Sequence, residues 1–141
     1  AAYRDPEPRV ALGLELSRRN LWNGAIDVSD GIGVDAARLA RASGLRAVIE
    51  KERLPVSPAL ETLASLQKKD PFDWILGGGD DYELLFAAPV SALAGIGRLA
   101  SREVPITRIG RLEKGKGTVV SDRDRERDIA SVGHDHFERR T

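Results

Sequence analysis

Two carboxylates and a hydroxyl lie close together in the stretch Asp27-Val28-Ser29-Asp30-Gly31. An apolar, β-prone run precedes it and a segment with helical spacing follows, which predicts a strand, a tight turn and a helix N-terminus. Because side chains alternate along a strand, Asp27 and Ser29 are expected on one face. Asp30 is expected near the helix N-terminus, where free N–H groups favour anions. Oxygens grouped in this way could bind Mg²⁺, which takes a few carboxylates and completes its shell with water and phosphate.

The same stretch also has a structural interpretation. Ser and Asp are preferred N-caps, and glycine eases a turn, so Ser29, Asp30 and Gly31 could serve only to start the helix. For this triplet alone, capping is the more common use. Asp27 favours a binding role, because a carboxylate at the end of an apolar strand is costly unless it has a partner.

A second group of candidate residues is the stretch Gly77-Gly78-Gly79-Asp80-Asp81. Three consecutive glycines cost backbone entropy, so a compact fold usually places them where a Cβ would clash. Such a loop could bring backbone N–H groups close to a phosphate. The alternative is a bulged loop between two strands, with solvated acids. The spacing matches neither a phosphate-binding P-loop nor a dinucleotide-binding turn.

Composition narrows the class of protein. The chain has 141 residues, enough for one domain with a sizeable core. Its 22 basic residues balance 22 acidic ones, which argues against bulk electrostatic attraction to nucleic acid or to an anionic membrane. The absence of cysteine excludes disulfides and thiolate metal sites and fits a reducing cytoplasm. The chain also lacks methionine, and we expect it to be part of a longer protein.

Helical and strand patterns alternate along the chain. Helices are predicted at about 9–20, 31–43, 58–68 and 90–99, and strands at 25–29, 45–51, 82–88 and 106–112. Residues 118–120 are predicted to pair back on the last strand as a hairpin. The expected fold is therefore an α/β or α+β layered sandwich, with a mixed, largely antiparallel sheet covered by helices. No nucleophile or general base with catalytic spacing is identified.

The two stretches together resemble the C-terminal domain of thiamine-monophosphate kinases, in the superfamily of aminoimidazole ribonucleotide synthetase. The family pattern is Asp-hydrophobic-Ser-Asp-Gly, then Gly-Gly-Glu-Asp-Tyr-Glu-Leu, and near the end Gly-aromatic-x-His-Phe. The matching positions here are 27–31, 78–84 and 133–137. The resemblance covers nearly the whole chain and implies the fold of that superfamily's C-terminal domains.

The resemblance implies a function. The full-length enzyme would phosphorylate thiamine monophosphate to thiamine diphosphate with ATP and Mg²⁺, as a cytoplasmic homodimer. Residues 1–141 would form its single C-terminal domain, inactive alone, because most of the ATP site belongs to an N-terminal domain that lies outside them. Two alternatives remain open. One is another ATP-dependent enzyme of the superfamily with a different small-molecule substrate, and the other is a non-catalytic ligand-binding or assembly domain.

The resemblance also implies roles for five residues. Asp27 and Asp30 would bind Mg²⁺, and Ser29 would contact ATP. Asp80 would contact the substrate, in the place of the family's usual Glu, with a carboxylate arm shorter by one methylene. His134 would also contact the substrate, where the family usually has an aromatic side chain.

Overall fold

The computed structural model describes residues 6–123 and 125–129. Within them the helices are α1 (Val10–Arg18), α2 (Ile32–Ala42), α3 (Pro58–Gln67), α4 (Pro71–Gly77) and α5 (Leu93–Gly97). The strands are β1 (Gly24–Asp27), β2 (Leu45–Glu50), β3 (Leu84–Ala87), β4 (Gly110–Lys114), β5 (Thr118–Asp122) and β6 (Arg125–Asp128). Single 3-10 turns occupy Lys51–Arg53 and Val90–Ala92. None of the described helices is long and apolar enough to cross a membrane.

The strands form two sheets. β1 pairs antiparallel with β3, with Asp27 opposite Leu84 at the end of the ladder. The other sheet has the strand order β4-β2-β5-β6. Its β2 runs antiparallel to β4 and parallel to β5, and β5 runs antiparallel to β6. The expected α+β architecture with mixed, largely antiparallel pairing is therefore confirmed.

The predicted hairpin between the last two strands is wrong. β4 and β5 do not pair, because β2 lies between them and places Val48 opposite both Arg111 and Val119. Ala47, Val48 and Ile49 are all buried, so β2 takes the central position that a continuous apolar strand needs. The hairpin forms instead between β5 and β6, whose alternating charges lie on an exposed edge strand.

Two apolar clusters hold these layers together. In the larger one α2 packs on β2 and α4, through buried residues that include Ala36, Ala40, Ile49 and Leu76. In the smaller one Leu16 of α1 packs with Ala92 and Ile96, beside an edge-to-face contact of Trp22 and Phe86. Helix α2 also contacts β1 and β3, so it links the two sheets.

The chain before the three glycines is helical rather than a strand. Asp70 caps α4 by accepting a hydrogen bond from the Phe72 N–H at 3.0 Å, and Pro71 occupies the first helical position. The alternative of a bulged loop between two strands is therefore wrong. Residues 78–83, which begin with Gly78 and Gly79, connect α4 to β3, and α4 packs against α2.

Candidate functional site

The two stretches singled out in the sequence lie against each other. The Tyr82 N–H donates to the carbonyl of Val28, and the Val28 N–H donates to the carbonyl of Glu83, both at 2.9 Å. The Asp80 N–H donates to the carbonyl of Ser29, also at 2.9 Å. These bonds extend the β1–β3 ladder beyond its last residue pair. The acidic turn and the glycine-rich loop therefore form one structural unit.

The glycines of this unit allow the two backbones to touch. A Cβ on Gly79 would stand 2.3 Å from the Ser29 carbonyl oxygen. A Cβ on Gly31 would stand 2.9 Å from the carbonyl oxygens of Leu76 and Gly78, and the φ of Gly31 is +106°. The expectation that the glycines stand where a Cβ would clash is confirmed at Gly79 and at Gly78, where a Cβ would stand 2.3 Å from the Trp74 carbonyl oxygen. Both glycines approach the protein's own backbone.

The predicted capping of α2 by Ser29 or Asp30 is wrong. The helix begins at Ile32 with Gly31 as its N-cap residue, and no side chain caps it. The left-handed conformation of Gly31 redirects the chain before the helix begins. The Ser29 and Asp30 side chains therefore serve no cap.

A residue that the sequence analysis missed holds the turn from the helix side. The Oδ2 atom of Asp35 accepts hydrogen bonds from the backbone N–H groups of Ser29 and Asp30, both at 3.0 Å. Asp35 is completely buried, in the first turn of α2. A carboxylate that accepts two backbone N–H groups is a strong anchor, because charge-assisted hydrogen bonds are about twice as strong as neutral ones.

A cation on α2 links the two acids of this region. Nη1 of Arg38 donates to Oδ1 of Asp35 at 2.8 Å and also to Oδ2 of Asp30. Arg38 therefore bridges a buried carboxylate and a partly exposed one. The i, i+3 spacing of Asp35 and Arg38 is the signal in the sequence that could have revealed the pair.

Asp27 lies on an open cavity of about 380 Å³. The Asp27 side chain is exposed at the end of β1, whereas Val28 is buried and Ser29 is half-buried. Residues from the chain before α1, from α1 itself, and from both motifs line the cavity: Pro6, Pro8, Arg9, Val10, Gly13, Asp27, Tyr82, Glu83 and Leu84. Its wall is mostly apolar and also includes the acidic residues Asp27 and Glu83.

Two of the residues that line the cavity form a bidentate ion pair. Nε and Nη2 of Arg9 donate to the two carboxylate oxygens of Glu83, at 2.9 and 2.8 Å. The pair links Arg9, the residue before α1, to Glu83, which lies four residues after Gly79. The hydrogen bond from Arg9 outweighs desolvation and lowers the pKa of Glu83 below its ordinary value of 4.5.

We expect the contribution of this ion pair to the stability of the protein to be lost in acid. Because the folded-state pKa of Glu83 is lowered, the contribution is complete above pH 4.5 and disappears as the pH falls through the folded-state value. Arg9→Gln should lower the free energy of unfolding at pH 7 by up to about 1 kcal/mol, since the Glu83 side chain is half exposed and solvent screens the pair. Urea unfolding should show this difference shrink as the pH is lowered below 4.5. Arg98→Gln, at an exposed position, is the charge-matched control. A pH-independent difference for Arg9→Gln would contradict the prediction.

The loop after the glycines is conformationally constrained. Asp80 and Tyr82 have φ values of +66° and +51°, and the Tyr82 hydroxyl donates to Oδ1 of Asp80 at 3.1 Å. Left-handed backbone at non-glycine residues is uncommon and concentrates at functional sites. Burial and the nearby charges of Glu83 and Asp80 raise the pKa of Asp81. The loop therefore presents a crowded acidic edge next to the cavity.

The donor set of the turn is compatible with Mg²⁺. Asp27 and Asp30 offer hard carboxylate oxygens, and Mg²⁺ is commonly held by one or two carboxylates with water and substrate phosphates. Within residues 6–123 and 125–129, no group of three or more His, Cys, Asp or Glu side chains is arranged to hold a metal ion. Asp27 and Asp30 could therefore supply part of a Mg²⁺ shell. His134 lies outside the described residues.

Fold and site define an α+β domain that joins an acidic turn to a glycine-rich loop beside an open ligand-sized cavity. Residues 4–123 match the family model of the AIR synthase related protein, C-terminal domain. The chain therefore belongs to the family of AIR synthase related proteins.

Individual relatives agree with the resemblance predicted from the motifs. The thiamine-monophosphate kinase of Pyrococcus horikoshii is 32% identical over 134 residues, which cover 95% of this chain and 40% of that protein. Thiamine-monophosphate kinase from Stenotrophomonas maltophilia K279a superposes with a TM-score of 0.73 at 42% identity, covering 82% of this chain and 35% of that one. AaThiL, solved in complex with AMPPCP and TMP, superposes with a TM-score of 0.75 at 31% identity, covering 94% of this chain and 38% of that one. The chain spans about 40% of the length of the curated relatives it matches.

Proposed function

We propose that this chain is the C-terminal domain of a kinase that phosphorylates thiamine monophosphate to thiamine diphosphate with ATP and Mg²⁺. The observation that supports this most is the backbone contact between the acidic turn and the glycine-rich loop beside the cavity. That contact occurs in a chain whose relatives named thiamine-monophosphate kinase match it over nearly its whole length. In the complete protein, a preceding domain would supply most of the ATP site and the interface of a homodimer.

The proposal assigns a role to each candidate residue. Asp27, exposed on the cavity, and Asp30 bind Mg²⁺, and Ser29 contacts ATP. Asp80 contacts the substrate from the constrained loop, and His134, outside the described residues, does so from the C-terminal segment. A bound ATP analogue in AaThiL, AMPPCP, supports ATP as the phosphoryl donor.

In this reaction the role of the chain is to position the substrate and to compensate the charge of the phosphoryl group. When bound, Mg²⁺ neutralises charge that develops on the transferred phosphoryl group. The acceptor oxygen belongs to the phosphate of thiamine monophosphate and is already ionised, so the chain needs no strong general base. Its own contribution is to hold two carboxylates and the substrate in fixed geometry, which can supply a large part of the rate enhancement. Buried Asp35 and the paired backbones fix that geometry.

An assay of the full-length protein tests this proposal. We expect thiamine diphosphate and ADP to form from Mg²⁺-ATP and thiamine monophosphate, and product to disappear when EDTA replaces Mg²⁺. Residues 1–141 alone should form no product under the same conditions. ATP consumption only with a different small-molecule acceptor would favour another enzyme of the superfamily, which the Asp80 departure leaves open. No turnover with any acceptor, together with no Mg²⁺-dependent change in melting temperature, would favour a non-catalytic domain.

A further inference from the structure

Arg38 forms ion pairs with two carboxylates. It donates to Asp35, whose side chain is fully buried, and to Asp30, whose side chain is 17% exposed. Asp35 keeps two backbone N–H donors whatever Arg38 does, because these donors reach Oδ2 while Arg38 reaches Oδ1. Arg38 can therefore release Asp30 and remain paired with Asp35.

We propose that Arg38 is a positioning residue that sets the affinity of Asp30 for a divalent cation, and that Asp35 controls how firmly Arg38 holds Asp30. The inference rests on the metal role of the turn in the proposed function. A guanidinium on the carboxylate both occupies one of its oxygens and repels an arriving cation. The stronger the pull of Asp35 on Arg38, the more available Asp30 becomes.

This arrangement predicts opposite effects for two neighbouring substitutions. Arg38→Gln removes the competing charge but keeps an N–H donor for Asp35, so the turn should bind a divalent cation more tightly. Asp35→Asn keeps an amide oxygen for the Ser29 and Asp30 N–H groups but removes the charge that attracts Arg38. Arg38 should then pair more strongly with Asp30, and cation binding should weaken. If the cluster only supports the fold, both substitutions should weaken binding.

Mn²⁺ is the probe, because it prefers the same oxygen donors as Mg²⁺ and its free form has a strong electron paramagnetic resonance signal. We expect titration of the full-length protein, without nucleotide or thiamine monophosphate, to give a dissociation constant at least about threefold lower for Arg38→Gln. For Asp35→Asn we expect it to be at least about threefold higher. The double variant should match Arg38→Gln, because Asp35 acts through Arg38.

The controls separate this cluster from general electrostatics and from misfolding. Arg41→Gln removes the same charge from an exposed position on the same helix and should change the Mn²⁺ constant by less than about twofold. Circular dichroism should show each variant folded.

Weakening in both single variants, equal effects of Arg38→Gln and Arg41→Gln, or no Mn²⁺ binding by parent and Arg38→Gln alike would each overturn the inference. Opposite shifts in a protein that forms no thiamine diphosphate would uphold the inference and refute only the proposed function.

Discussion

Asp27→Asn in the full-length protein is expected to lower kcat/KM for thiamine diphosphate formation by about three orders of magnitude. The reason is that Asp27 is proposed to bind Mg²⁺, and a metal ion that stabilises the charge on the transferred phosphoryl group contributes several kcal/mol in the transition state. Asp27 is the exposed carboxylate of the acidic turn on the cavity. Asn keeps the shape of the side chain but provides only one neutral oxygen donor. The loss should therefore fall on the chemistry and on Mg²⁺-ATP binding rather than on the fold.

The structure separates these two effects. Across residues 6–123 and 125–129, the Asp27 carboxylate makes no ion pair or side-chain hydrogen bond, so its removal breaks none of the contacts that hold the turn. Melting temperature without ligand should stay within about 2 °C of the parent, and the stabilisation by Mg²⁺-ATP should be lost. Glu61→Gln, at an exposed position on α3, removes one acid elsewhere and should keep full activity. Asp27→Asn with unchanged kcat/KM would refute the metal role of Asp27.

The local parts of this site could be predicted from the sequence. Strand, turn and helix around Asp27 follow from an apolar run, a glycine and a helical period. Ser57 caps α3 with Pro58 at its first position, a pair of residues that is typical of a helix start. The glycines at 78 and 79 could be predicted to avoid a Cβ clash, because little else justifies their entropic cost. That Gly79 approaches Ser29 depends on a tertiary contact and could not be predicted.

Contacts between residues that are distant in the sequence could not be predicted, for a physical reason. Arg9 and Glu83 are 74 residues apart, and nothing in the local pattern of either residue indicates the other. Asp35 sits in a helix with other charged residues, where an acid is most often solvated, yet its side chain is fully buried. The hairpin prediction failed similarly: a glycine-containing turn between two β-prone runs favours direct pairing, but the apolar β2 inserts between them.

Gly79→Ala is expected to destabilise the protein by about 2–4 kcal/mol, because the new methyl group would meet backbone rather than a movable side chain. The added Cβ would stand 2.3 Å from the Ser29 carbonyl oxygen and 3.2 Å from the Ser29 carbonyl carbon. Relieving that overlap requires the loop to move away from the turn. The Asp80 N–H would then lose its hydrogen bond to Ser29, and the two motifs would separate.

A matched control makes this prediction specific to the contact between the motifs. Gly97, the last residue of α5, has open space where its Cβ would go. Gly97→Ala should therefore change the free energy of unfolding by at most about 1 kcal/mol, in either direction. Urea unfolding of both variants compares the same chemical change with and without the backbone clash. Because the paired motifs hold the proposed ligand groups, Gly79→Ala should also weaken Mg²⁺-ATP binding under conditions where the variant remains folded. Equal stability of the two variants would mean that the loop has room to move, and the close packing of the motifs would then not be what fixes the site.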